Sequence, residues 1–255
     1  GVERIMLYAG FERVVTPDEL SCFRQMVRQR AAGRPAKYIV GGTEFYSMPF
    51  AVDERVLIPR PETELLVERA LSVLRAAAPG DFHLVVEIGT GSGAISIALA
   101  ANFPDANYIA TDVSAGALDA ARTNAEANKV TAKIEFLQGD VFDPLSRIGL
   151  EGRVDMIVCN PPYVSEKEWA GLPREIRLYE PKAALVAGPG GDEFHVRLIA
   201  DAPMFLRPGG TLLVEMDNNQ KDAVAATVSS SPEYLPPAFH QDYARMWRFY
   251  ELLRR

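Results

Sequence analysis

From residue 84 onward, short apolar runs rich in β-branched residues alternate with segments of helical periodicity. That alternation narrows the possible folds more than any other feature. Strands are expected near 84–88 (LVVEI), 107–111 (NYIAT), 133–137 (KIEFL), 154–159 (VDMIVC) and 211–215 (TLLVE), and helices near 92–102, 115–128 and 192–206. Strand and helix taken in turn give a parallel, doubly wound sheet with helices on both faces. The closing stretch "YLPPAFHQDYARMWRFYELL" reads instead as two strands joined by a turn, which fits an antiparallel edge pair. The expected fold class is therefore α/β: a Rossmann-like, doubly wound, seven-stranded sheet with an antiparallel edge pair.

Two smaller regions precede this unit. Residues 1–35 read as a small helical N-terminal domain, 36–58 as a β-hairpin linker and 59–255 as the α/β domain. In "TPDELSCFRQMVRQRAAGRP", Thr16 is the expected N-cap, Pro17 the first helical residue and Glu19 the capping-box partner. Leu20, Phe23, Met26 and Val27 follow at helical spacing. "YIVGGTEFYSMPFAVDERVLI" has short β-type runs broken by turn residues. "PRPETELLVERALSVLRAAAPG" then opens a helix whose acidic first turn suits the positive end of the helix dipole.

Composition excludes several functions. The net charge of −7 disfavours broad nonspecific binding to nucleic acid, and no apolar run is long enough to span a bilayer. Cys22 and Cys159 are too few for a disulfide framework or a thiolate metal site, and His83, His195 and His240 lack ligand spacing. A reduced, cytoplasmic protein without a metal is the expectation.

The segment "LVVEIGTGSGAISIALA" is strand, glycine turn and helix. Gly89, Gly91 and Gly93, with Thr90 and Ser92 between them, let the backbone approach a ligand at a helix N-terminus. The spacing, GxGxG with Ala94 next, also fits a dinucleotide fingerprint or a tight turn that binds nothing. Asp112, at the end of the second strand, is placed to accept from a ribose diol, although a helix N-cap is the plainer use. Asp140 follows the third strand and could accept from an adenine amino group. Three successive strand ends with this chemistry imply an adenosine-containing ligand.

The fourth strand ends in Asn160-Pro161-Pro162-Tyr163. Neither proline can extend a sheet ladder, so the chain presents an amide and an aromatic ring on a stiff turn. The Asn160 side-chain oxygen and the Pro161 carbonyl can accept from both N–H bonds of a planar NH₂, turning its delocalised lone pair toward an electrophile. Tyr163 can pack on the substrate plane. Orientation of this kind supplies roughly 7–11 kcal/mol in favourable cases. With an adenosine ligand beside it, the implied electrophile is the methyl of S-adenosylmethionine. Cys159 has no histidine near it in sequence and reads as a buried strand residue rather than a nucleophile.

"EIGTGSG", "TDVS", "GDVF" and "NPPY" together resemble the motifs of class I S-adenosylmethionine-dependent methyltransferases that act on amide or amino nitrogens. Residues 33–68, "GRPAKYIVGGTEFYSMPFAVDERVLIPRPETELLVE", with "YEPKAALVAGPGGD", "LRPGGTLLVEM" and "DYARMWRF", resemble the HemK/PrmC-type release factor glutamine methyltransferases. The resemblance implies methyl transfer to the glutamine amide nitrogen of the Gly-Gly-Gln motif in class I peptide release factors. It implies that Gly89 to Gly93 cradle the methionine part of S-adenosylmethionine, that Asp112 holds the ribose, and that Asp140 and Val141 line the adenine. Asn160, Pro161, Pro162 and Tyr163 would hold the glutamine, and Arg60, Thr63 and Glu64 would close over the crevice. The N-terminal helical segment is about half as long as the resemblance implies, so a truncated docking domain is expected. Asp217 and Glu193 depart from the family pattern, with only local loop changes expected. An adenine-N6 DNA methyltransferase lacks the basic surface and target-recognition domain here. A silent S-adenosylmethionine-binding module would have no need of an intact "NPPY", and a nicotinamide dehydrogenase leaves it unexplained.

Overall fold

The computed structural model describes residues 4–76 and 84–255; His83 and the first three residues lie outside them. The chain begins with α1 (Arg4–Ala9) and α2 (Pro17–Ala31). The start of α2 follows the sequence closely: Thr16 caps it, Pro17 opens it, and Thr16 and Glu19 form the reciprocal capping box. Its apolar positions do not behave as core. Leu20, Phe23 and Val27 are exposed, and α2 buries no residue.

The region expected to be only a hairpin starts with a helical turn, α3 (Ala36–Val40), which Gly41 ends in a left-handed conformation. The hairpin follows as β1 (Gly42–Phe45) and β2 (Met48–Ala51). Tyr46 and Ser47 form its two-residue turn with φ values of 51° and 58°, the twist that suits tight hairpins. α4 (Thr63–Ala76) then packs Leu66, Val67, Ala70, Leu71 and Leu74 into the main core.

The α/β unit runs through β3 (Leu84–Ile88), α5 (Ala94–Asn102), β4 (Asn107–Asp112), α6 (Ala115–Ala127), β5 (Ile134–Gln138), α7 (Asp143–Arg147) and β6 (Val154–Cys159). An excursion follows, with β7 (Val164–Ser165), α8 (Glu166–Trp169), α9 (Arg174–Tyr179) and β8 (Val186–Gly188). The chain finishes with α10 (Glu193–Phe205), β9 (Leu206–Glu215), α11 (Lys221–Ser229), β10 (Ala238–Gln241) and β11 (Trp247–Leu253). Among the described residues, seven strands form one sheet in the order β10-β11-β9-β6-β3-β4-β5. The five from β9 to β5 run parallel, and β11 and β10 add the antiparallel edge.

Both faces of this sheet are covered, which is why its inner strands are apolar at almost every position. Val85, Met156 and Val158 face the cluster built by α4 and α5. Val86, Ile88, Ile157 and Cys159 face the opposite cluster, with Leu198, Ile199 and Phe205 of α10 and Val224 and Val228 of α11. The small sheet of β7 and β8 and the helices between them gave no periodic signal in sequence, because elements of two to six residues are too short to show one.

One buried side chain ties the hairpin to both the α/β unit and the glycine turn. Asn124 of α6 is 1% exposed; its Oδ1 accepts from Ala51 N at 2.8 Å, and its Nδ2 donates to Ala51 O at 3.1 Å and Ser92 O at 2.9 Å. All three partners are backbone groups, and one of them lies in the glycine turn. Asn124→Ala is expected to cost about 2–3 kcal/mol by stranding buried backbone groups, read as a lower urea midpoint. An unchanged midpoint would show that water replaces these bonds freely.

Candidate functional site

Parallel pairing brings the carboxyl ends of β3, β4 and β6 to one edge of the sheet, and a cavity of about 240 Å³ opens there. Gly89, Thr90, Gly91, Ser92, Asp112, Asp140, Val141, Asn160, Pro161 and Pro162 line it, as the sequence led us to expect. Gly89 and Gly91 have φ values of 72° and 54°, and no heavy atom lies within 4 Å of where a Cβ would stand on either. The backbone here is therefore open to a ligand, and a side chain at either glycine would be strained in conformation.

Glu87, in the middle of the β3 end, holds this turn together. Its Oε2 accepts from Thr90 Oγ1 at 2.7 Å, from Ser96 N at 3.0 Å and from Ser96 Oγ. Burial pushes its carboxyl up to about 7, while the Ser96 and Thr90 hydrogen bonds pull it down. Asp112 extends the same scaffold: its Oδ2 accepts from Gly91 N and its Oδ1 from Ser114 N, both at 2.9 Å. Ser114 itself caps α6, so Asp112 does not serve as that N-cap. Burial raises its pKa as well, against the backbone donors.

Three residues of the expected cofactor and acceptor sites sit differently from expectation. Asp140 borders the cavity, but its Oδ2 pairs with Arg197 Nη1 of α10 at 2.6 Å; a neighbouring helix that the local sequence does not reveal draws this carboxylate aside. Gly93 is not in the cavity wall. A Cβ there would meet Ile97 Cδ1 at 2.7 Å and Ala121 Cβ at 3.1 Å, so this glycine serves the packing of α5 on α6. Tyr163 also falls outside the wall, because its backbone turns away into β7, with its N–H donating to Leu185 O at 3.1 Å. Val141 does line the cavity, at a φ of 44° that a β-branched residue rarely adopts, held by burial in the apolar cluster.

Asn160 follows β6, and its Nδ2 donates to Thr63 Oγ1 at 3.1 Å. Thr63 donates in turn to Oε2 of the buried Glu215, at the end of β9, at 2.7 Å. Burial pushes the Glu215 carboxyl up to about 7; the hydrogen bonding of Thr63 and Asn160 acts the other way. Glu215 was not singled out in sequence. Its only signal was one carboxylate closing the apolar run "TLLVE".

Arg60, before α4, and Thr63, its first residue, close one side of the cavity. Arg60 Nη2 reaches both oxygens of the buried Glu180, at 2.7 and 2.8 Å, and Pro181, Ala183 and Ala184 beyond it complete that wall. Glu64 does not share this role, since its Oε1 accepts from Tyr46 N at 2.8 Å in the hairpin turn. Cys159 is buried, and burial raises its thiol well above the ordinary range, which leaves no reactive thiolate. Among the described residues no group of His, Cys, Asp and Glu is arranged to hold a metal ion, and no helix is long and apolar enough to cross a membrane.

The turn after Pro162 is braced from behind. Gln220 Nε2 donates to Tyr163 O at 3.2 Å and to Gly191 O at 2.7 Å. Its Oε1 therefore faces Asp217 N at 2.9 Å and His195 Nε2 at 3.1 Å, so the proton of the neutral imidazole sits on Nε2. His195 Nδ1 is then the acceptor for Tyr250 Oη at 3.2 Å. The two departures from the family pattern serve nearby loops: Glu193 accepts from Gly190 N and Gly191 N at 2.7 and 2.8 Å, and Asp217 accepts from Asn219 N at 2.9 Å.

Comparison with known proteins agrees with this geometry. Residues 63–175 match the methyltransferase small domain, and residues 1–41 match the PrmC N-terminal domain. A release factor glutamine methyltransferase from Chlorobaculum tepidum is 43% identical, over 97% of this chain and 84% of that relative. One from Rhodopirellula baltica is 41% identical, over 85% of this chain and 72% of its own length. Among solved structures, the hMettl16 catalytic domain superposes with a TM-score of 0.64 at 19% identity, covering 86% of this chain and 80% of that one, a likeness of fold.

His195 makes the brace sensitive to acid. Burial pushes it down to about 4 from 6.5, so between those values the unfolded chain takes up a proton that the folded chain refuses. The stability it contributes is complete above pH 6.5 and is lost as pH falls toward 4. Between about pH 7.5 and about pH 5, the thermal midpoint of the wild type should fall further than that of His195→Gln. Equal falls would show that this histidine titrates normally.

Proposed function

Because the chain belongs to the release factor glutamine methyltransferase family, we propose that it methylates the side-chain amide nitrogen of glutamine in the Gly-Gly-Gln motif of a class I peptide release factor, with S-adenosylmethionine as donor. The observation that carries this reading is the edge shared by the glycine turn, Asp112 and Asn160, which sets a nucleoside cradle beside an amide acceptor. The residues fit the donor. The space a Cβ would fill at Gly89 and Gly91 is open, and Asp112 lines the cavity with a carboxyl group that suits a ribose or a cationic ligand.

When bound, S-adenosylmethionine supplies a methyl group activated by a positively charged sulfur. The backbone of Gly89 to Ser92 and the Asp112 carboxylate bind and orient it. Asn160 Oδ1 and the Pro161 carbonyl accept from the two N–H bonds of the glutamine amide and direct the nitrogen lone pair at the methyl. Pro161 and Pro162 stiffen the acceptor turn, and the Gln220 brace fixes the carbonyl of Tyr163 behind it. Methyl transfer would break the methyl's bond to sulfur and release S-adenosylhomocysteine, and the methylated nitrogen would be acidic enough to lose its proton to solvent, so no strong base is needed. Orientation is the main source of acceleration. The helices of residues 4–35 dock the release factor, and a release factor substrate fits a reaction in the cytoplasm.

The test uses S-adenosylmethionine labelled in its methyl group, offered with a class I release factor, its Gly-Gly-Ala variant and duplex DNA. Label on the wild-type factor alone is expected; label on DNA, or equal label on both factor variants, would overturn the assignment. Asn160→Ala should keep cofactor binding and lower methyl transfer by roughly a hundredfold or more, as expected when a preorganised polar contact to the reacting group is lost. Near-normal turnover would refute its role as acceptor.

A further inference from the structure

The Asn160 side chain is not free to choose which end it presents. Thr63 is 4% exposed, and its hydroxyl stands between Glu215 Oε2 at 2.7 Å and Asn160 Nδ2 at 3.1 Å. A hydroxyl has one proton to donate, and the Glu215 carboxyl, when ionised above about pH 7, can only accept. The Thr63 proton therefore goes to Glu215, which leaves Thr63 Oγ1 as the acceptor. The Asn160 atom facing it must then be the NH₂ group, and the carbonyl oxygen is left for the cavity.

The three residues meet through the fold. β6 and β9 are parallel neighbours with Cys159 opposite Val214, so Asn160 and Glu215 both stand one residue past that pair. Thr63 arrives from the first residue of α4, which packs beside β9. Packing alone gives no reason for Glu215. A carboxyl group 5% exposed at the end of an apolar strand costs desolvation that a valine or leucine would avoid.

We propose, resting on the function argued above, that Glu215 acts through Thr63 to set the hydrogen-bonding polarity of the substrate site, holding Asn160 as an acceptor and thereby selecting an NH₂ group. Both are positioning residues. Without the carboxylate, Thr63 can donate to Asn160 Oδ1. The amide then turns its NH₂ toward the cavity, where it meets the glutamine NH₂ donor to donor. A substrate carboxylate, which has no N–H to offer, is refused in the native arrangement for the complementary reason.

The experiment compares full-length wild type with Thr63→Val, Thr63→Ser and Glu215→Met, the last keeping the volume without the acceptor. Three quantities are read: the affinity for S-adenosylhomocysteine, kcat and KM with the release factor, and the Asn160 side-chain NH₂ resonance, assigned by its loss in Asn160→Asp. Thr63→Val and Glu215→Met should lower kcat roughly tenfold or more, the effect of losing one buried polar contact. Cofactor affinity should stay within about twofold, and Thr63→Ser should restore kcat to within about threefold. The Asn160 resonance should move in Thr63→Val and Glu215→Met and hold in Thr63→Ser. Wild-type kcat in Thr63→Val, or a joint loss of kcat and cofactor affinity in Thr63→Ser and Thr63→Val alike, overturns the proposal. A wild type that does not methylate the factor overturns the assigned function only. The resonance still decides the network in that case, and an unmoved signal in both Thr63→Val and Glu215→Met refutes it.

Discussion

Parallel pairing of β3 with β4 on one side and β6 on the other is the constraint on which this site depends. In a parallel sheet every strand ends at the same edge, so whatever follows each strand shares one crevice. Here those followers are a glycine turn, Asp112 and Asn160. None of them needs a long-range search to find the others once the strands are in register. Burial on both faces of the sheet fixes that register, because a slip by one residue would carry Glu87 from the α5 side into the opposite apolar cluster.

Within that frame, buried and half-buried carboxyl groups serve as organisers. Glu87 joins the glycine turn to the first turn of α5, and Asp112 holds Gly91 and its own following turn. Glu215 fixes the direction of Thr63. Each is more easily protonated than a free carboxyl because burial disfavours its charge. Such groups persist where they hold donors that would otherwise be free to rotate, and here the donors lie around the cavity. Stability is given up locally for a site with fixed polarity.

A second level of organisation lies behind the acceptor turn. Gln220 uses both ends of its amide at once, donating to the carbonyls of Tyr163 and Gly191 and accepting from His195 and Asp217. The histidine is buried and neutral, a structural part of the brace. Arg60 and Glu180 likewise join two stretches 120 residues apart across the cavity wall. Loops that would be mobile alone are tied to the rigid sheet by these bonds.

The strands, the glycine turn, the proline-stiffened turn after β6 and the capped start of α2 were all legible in the sequence. Each is specified by residues adjacent along the chain: continuous apolar runs, turn residues, and the Thr16 and Glu19 pair. The sequence by itself thus determined the order of the main strands and helices, and that the glycine turn, Asp112 and Asn160 follow strands ending at one edge. Only the tertiary structure decided which way their side chains face. Asp140 turns to Arg197, 57 residues away, and Asn160 takes its orientation from Thr63, 97 residues away, which in turn depends on Glu215, 152 residues from Thr63. The physical reason is that a hydrogen bond's direction is set by the partner's chemistry and position, and partners this far apart in sequence meet only after the sheet has closed.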